Sequence, residues 1–216
     1  MTSAAFRGLA ALAALGALTA CPSPSPSKCS FWGTKGATPF IEIGMRLSDG
    51  GFGELTQDGM PVDLTFPTQG GHVLFVGARV HDMPECNQLL SATVSDPQTG
   101  ALYSTEERVV DFPVADDSGG IPDLSDTASV ANVPMCPDYG TRDVLNQDWV
   151  LQVSVADDAG YSANALRHVT PVCRQTDPAA LANCQCECAA NYFLGKCVPG
   201  RDAGPGDAGT DGGDGG

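Results

Sequence analysis

Basic residues are scarce in this chain, histidine is nearly absent, and no catalytic signature stands out. Lys and Arg number 11 against 26 Asp and Glu, for a formal net charge of −15 over 216 residues. The basic residues are scattered singly, as at Arg46, Arg79, Arg142 and Arg201. No patch is available to neutralise a phosphate backbone, so nucleic acid is not an expected partner. His72, His81 and His168 are the only histidines, and a triad or zinc role would need at least two of them to converge on other functional groups. There is no G-x-S-x-G, H-E-x-x-H, P-loop or dinucleotide fingerprint, so no enzymatic chemistry is expected. No long stretch carries apolar residues at helical spacing. The uncharged run at residues 9–20 (LAALAALGALTA) is shorter than the roughly 20 apolar residues that cross a bilayer.

That run has a different meaning. Arg7 precedes it and small residues close it, which is the pattern of an export signal. The closing tetrapeptide Leu18-Thr19-Ala20-Cys21 resembles the lipobox of bacterial lipoproteins. The resemblance implies that residues 1–20 are removed and that Cys21 is acylated, with palmitate-type chains holding it to the membrane. Pro22 follows in place of the aspartate that marks inner-membrane retention in that family, which implies the outer membrane. The alternation Pro22-Ser23-Pro24-Ser25-Pro26-Ser27 fixes φ and favours an extended path. At about 3.1 Å per residue the stretch from Cys21 to Cys29 would hold a domain roughly 25 Å from the lipid, so residues 21–37 read as a tether.

Residues 38–172 carry the two-residue period of half-buried strands. Ile41, Ile43, Met45 and Leu47 alternate with Glu42, Gly44 and Arg46; Val62, Leu64 and Phe66 alternate with Asp63 and Thr65; Leu90, Ala92 and Val94 alternate with Ser91 and Thr93. Residues 72–80 (HVLFVGARV) are apolar on both faces, as a central strand would be. Trp149, Leu151, Val153 and Val155 form one face of a further strand. Asp58-Gly59, Gln69-Gly70-Gly71, Asp96 to Gly100 and Asp158-Ala159-Gly160 supply turn chemistry. Residues 114–130 are polar and interrupted by Gly and Pro, and read as a long exposed loop. Short strands between such turns predict an all-β, two-sheet sandwich. The strand, Asp-Asp-x-Gly hairpin and returning strand of residues 149–172 resemble the last hairpin of bacterial immunoglobulin-like domains. That resemblance implies an immunoglobulin-like antiparallel β-sandwich.

Setting Cys21 aside leaves eight of the nine cysteines. An even number in an exported chain points to disulfides. Cys86 follows the central strand and Cys136 follows Pro134-Met135, so both are placed at strand ends and a Cys86–Cys136 bridge is expected. Cys29 and Cys173 flank the sandwich and are left to meet each other or to join the C-terminal cluster. In that cluster, Cys186-Glu187-Cys188 followed by Cys197, with Asn191 and Tyr192 between, resembles the closing half of an EGF-like module. The resemblance implies a Cys188–Cys197 pair, with Asn191 in the glycine position. The Cys184-x-Cys186-x-Cys188 spacing fits a tetrahedral metal poorly, because paired zinc ligands are normally at least two residues apart.

Asp116, Asp117, Asp123 and Asp126, with Asp157 and Asp158 in the last hairpin, offer oxygen ligands for Ca²⁺, though not at EF-hand spacing. The organisation expected is therefore a signal at 1–20, a lipidated tether at 21–37, a sandwich at 38–172, a small disulfide-rich segment at 173–200 and a disordered Gly/Asp tail at 201–216. The expected function is a non-enzymatic binding or structural module without a cofactor. It would be anchored to the outer membrane by lipid and face an envelope or surface protein. A calcium-dependent adhesion or glycan-binding domain, and a metal or redox protein using the C-terminal cysteines, are the alternatives.

Overall fold

A computed structural model describes residues 29–47, 50–116, 119–138 and 141–197. Cys21, the signal, the Pro/Ser stretch, Asp117 and the Gly/Asp tail lie outside the described residues.

The strands in chain order are β1 (Phe31–Trp32), β2 (Phe40–Arg46), β3 (Phe52–Glu54), β4 (Met60–Asp63), β5 (His72–His81), β6 (Met83–Pro84) and β7 (Gln88–Ser95). They continue with β8 (Leu102–Val110), β9 (Val114–Asp116), β10 (Gly119–Ile121), β11 (Ala131–Cys136), β12 (Trp149–Ala156) and β13 (Ser162–Val172), and a helix α1 (Pro178–Glu187) closes the described chain. One sheet runs β3-β2-β5-β10-β9, with β11 also paired to β5; the other runs β4-β13-β12-β7-β8. Among the principal strands, the second sheet thus collects β7, β8, β12 and β13, and the first collects β2, β5 and β11. This is the immunoglobulin-like distribution of an all-β sandwich. All pairs are antiparallel except β4 with β13.

The alternation read from the sequence becomes the core. Ile41, Ile43 and Met45 on β2 and Leu74, Val76, Ala78 and Val80 on β5 face Leu90, Ala92 and Val94 on β7 and Trp149, Leu151, Val153 and Val155 on β12. Two predicted positions fall outside it: Leu47 and Phe66 lie just beyond the ends of β2 and β4 and are exposed.

Residues 114–130, expected to be a loop, instead cover the outer face of the first sheet. β9 and β10 form a hairpin, and β10 pairs with the far end of β5. Leu124 and Val130 then pack on Val73 and Phe75 in a second small core beside Phe52 and Ile121. This explains why β5 is apolar on both faces: each face of it meets a core. The Phe52 ring lies over Gly44, whose register partner on β5 is Gly77. A Cβ on Gly44 would fall 2.0 Å from that ring. Gly44→Ala is expected to displace Phe52 and to cost about 1–3 kcal/mol through overpacking, read as a lower urea midpoint with unchanged slope.

The folded unit begins earlier than residue 38. β1 pairs with β6, the Trp32 indole N–H donates to the Phe112 carbonyl at 2.9 Å, and Cys29 is bonded to Cys86. It also extends through Cys197, because the disulfide-rich segment docks on the sandwich. The Val144 N–H donates to the Cys188 carbonyl, and the Gln175 amide donates to the Leu64 carbonyl at 2.7 Å.

Candidate functional site

Four bridges form: Cys29–Cys86, Cys136–Cys188, Cys173–Cys184 and Cys186–Cys197. Cys86, Cys136, Cys188 and Cys197 are all bonded, but not to the partners expected. The Cys86–Cys136 pair does not form, because Cys86 lies between β6 and β7 where the β1 segment meets it, while Cys136 ends β11 at the opposite end of β5, beside His72. The Cys188–Cys197 pair does not form either. Residues 178–187 are helical, which turns Cys184 and Cys188 to one side of α1 and Cys186 to the other. Cys186 therefore takes Cys197, and Cys188 reaches into the sandwich for Cys136. Asn191 adopts φ +58°, the left-handed conformation expected of the residue in a glycine position.

Asp177 caps α1 by accepting from the Ala180 N–H at 2.7 Å, and Pro178 begins the helix. The helix end sits over the start of β5. There, His72 is buried, its Nδ1 lies 3.0 Å from Glu187 Oε2, and the Phe66 ring meets it edge-on. The contact is an ion-pair distance without hydrogen-bond alignment. Burial lowers the His72 pKa from its ordinary value, and the Glu187 carboxylate only partly opposes this. The unfolded chain therefore binds a proton at His72 more readily than the folded one. Stability from this group is full above the ordinary histidine value of about 6.5 and falls as pH drops through it. Urea midpoints should fall between pH 7 and 5 in the parent and fall less in His72→Gln.

The other histidines stand apart. His81 closes β5, stacks on Phe40 with ring centroids 4.0 Å apart, and contacts Glu42 Oε2 at 3.1 Å. Arg79 donates to Glu42 at 2.8 Å and to Glu54 at 3.0 Å. Burial works to raise the Glu42 pKa, but the Arg79 and His81 hydrogen bonds outweigh it and hold the carboxyl below its usual value. His168 lies on β13 with Nδ1 2.9 Å from Asp148. The three histidines serve three separate contacts and do not converge.

The aspartates proposed for calcium are engaged locally. Asp123 accepts from the Ser125 N–H and hydroxyl, Asp126 caps the short 3₁₀ turn at Thr127–Ser129, and Asp157 accepts from the Ala159 and Tyr161 N–H groups. Asp158 is exposed in the same hairpin. These are turn-forming carboxylates. Among the described residues, the one metal-ligand constellation is His72 with Cys184 and Cys188, whose sulfurs are already in disulfides.

A surface that the sequence did not single out is the outer face of the second sheet. Register places Leu166, Gln152, Thr93 and Thr105 in one row across β13, β12, β7 and β8. Asn164, Ser154, Ser91 and Glu107 form the next row, and Ser162, Ala156, Leu89 and Val109 the one after. Leu89, Val109 and Leu166 are exposed, and Thr93 and Thr105 join hydroxyls at 3.2 Å. Glu107 is the only charged residue in these three rows. The signal for this face was present in the sequence as the polar half of each alternation. What was missing was the knowledge that the other sheet would be covered and that this one, among the described residues, would be left exposed.

In comparisons with known proteins, the chain matches no family model, no curated sequence and no solved structure. Among the described residues no helix is long and apolar enough to cross a membrane.

Proposed function

We propose that the protein is a non-enzymatic lipoprotein of the bacterial outer membrane, anchored through Cys21, that binds an envelope or surface protein with the outer face of its second sheet. One observation carries the reading: a chain with net charge −15 keeps three rows of a sheet face nearly free of charge. Depletion of charge around exposed apolar residues is the compositional mark of an interface core. Ser, Thr, Asn and Gln on a rigid sheet supply directional hydrogen bonds without the entropy cost of ordering a loop. The partner is accordingly a protein surface of low charge that presents its own amides and hydroxyls.

Anchoring rests on Leu18-Thr19-Ala20-Cys21 and the export signal before it. Cys21→Ser should release the protein into the soluble fraction, and an unchanged membrane fraction would end the anchoring claim. For the face, a photo-crosslinking side chain at Gln152 is expected to give a discrete protein adduct on intact cells, and one at Ser125 is not. Equal labelling from both positions, or none from Gln152, would refute the assignment.

A further inference from the structure

We propose that the two bridges behind β5 are the closed form of a soft-metal site: with Cys136–Cys188 and Cys173–Cys184 reduced, His72, Cys184 and Cys188 hold a divalent ion of the Zn²⁺ type, with Cys136 or Cys173 as the fourth ligand. The three donors come from two elements that the fold holds in place. Cys184 and Cys188 are one helical turn apart at the end of α1, so their sulfurs point to the same side. His72 opens β5 directly beneath them. One ligand atom from each of the three lies within 4.8 Å of the others, and all three residues are buried.

The surroundings of His72 point to a ligand. His72 is 1% exposed, and with its Nδ1 turned to Glu187 its Nε2 is the ring nitrogen left to bind a metal. The Glu187 carboxylate, 3.0 Å away, stands where an outer carboxylate orients a ligating imidazole and raises its basicity. The fourth donor needs no new element, since Cys136 and Cys173 are bonded to Cys188 and Cys184. Two or three thiolates with an imidazole suit zinc. Consecutive Cys-x-Cys-x-Cys remains a poor ligand set, but the helix withdraws Cys186 from it and the strand supplies His72.

Opening the site requires a reductant of the dithiol class. Each bridge accepts two electrons and two protons and becomes two thiols, while one dithiol is oxidised to a disulfide. Metal entry then releases the protons of the ligating thiols.

The test uses the full chain, reduced without oxygen by a phosphine, which becomes a phosphine oxide by taking the oxygen of a water as each disulfide opens. Co²⁺ serves as the probe and Zn²⁺ as its competitor. One Co²⁺ per chain is expected, with intense visible bands of tetrahedral thiolate ligation that Zn²⁺ abolishes. The bands should persist in Cys186→Ser/Cys197→Ser and shift in His72→Ala. Glu187→Gln should keep the spectrum and weaken binding roughly tenfold. Three results would overturn the proposal: absence of tetrahedral bands, a spectrum unchanged by His72→Ala, or loss of binding when only Cys186 and Cys197 are replaced.

Discussion

Trp149→Ala is expected to destabilise the protein by about 3–5 kcal/mol, the usual range for deleting a fully buried large aromatic. Trp149 is 2% exposed at the start of β12, where three kinds of contact meet on it. Its indole N–H donates to the Val144 carbonyl at 3.1 Å. The Tyr103 ring lies against it with centroids 4.6 Å apart. The Arg142 guanidinium sits over its ring at 4.2 Å while pairing with Asp96. Truncation therefore opens a cavity, orphans a carbonyl and removes the platform that orders Arg142. Trp149→Phe keeps most of the volume and should recover more than half of the loss. Guanidinium unfolding curves of the two variants measure the difference. A cost below about 1 kcal/mol for the alanine variant would mean that the site collapses around the missing ring, contrary to rigid packing.

Replacing both Cys136 and Cys188 with alanine is expected to cost more than replacing Cys186 and Cys197. The first pair closes a loop of sequence separation 52 and the second one of 11. Loop-closure entropy alone gives about 4 kcal/mol for the longer and about 3 kcal/mol for the shorter. Packing widens the gap, because Cys188 is fully buried and seats α1 on β11 and on the Val144 backbone. Without the longer bridge, α1 keeps the Glu187 contact to His72, the backbone bonds of Glu187 and Cys188 to Asp138 and Val144, and the Cys173–Cys184 link to the end of β13. Limited proteolysis of that variant should release a C-terminal fragment before the sandwich is cut. Equal thermal stability of the two double variants would mean that α1 is held by contacts other than its covalent ones.

Strands with one face in the main core were legible because burial imposes a period of two, as at Ile41, Ile43 and Met45. β8 was not, because its inner residues are few and its outer ones are Thr105, Glu107 and Val109, so the alternation carries little contrast. β11 was hidden by Pro134, which breaks the appearance of a strand although it sits next to a register irregularity. The segment at 114–130 looked like a loop because its job is to cover a sheet with a few apolar residues, Ile121, Leu124 and Val130, spread through turn chemistry. α1 carries cysteines where another helix would carry leucines, so its buried side left no apolar stripe. The disulfide partners followed from those misread elements: they depend on which strand ends meet and which way a helix turns, and spacing alone encodes neither. The metal-ligand constellation was out of reach for the same reason, since His72 precedes Cys184 by more than a hundred residues.

The bridges also determine how the molecule would bear a pull. Tension applied ahead of Cys29 and beyond Cys197 would travel along covalent shortcuts, from Cys29 to Cys86, from Cys136 to Cys188, and from Cys186 to Cys197. Only the stretch from Cys86 to Cys136 and the short link Cys186–Cys188 lie on the loaded path. β2, β5, β12 and β13 are by-passed and would stay slack. At roughly 3.3–3.6 Å per residue, and with 5.6, 5.1 and 5.8 Å across the three bridges, the fully drawn path between the anchoring points ends at about 200 Å, about a third of the contour length of the open chain. A single-molecule stretch that ran well past this without bond rupture would show that the shortcuts are absent. Under a pull at both ends, the molecule would pay out as a short leash while the by-passed strands kept their fold.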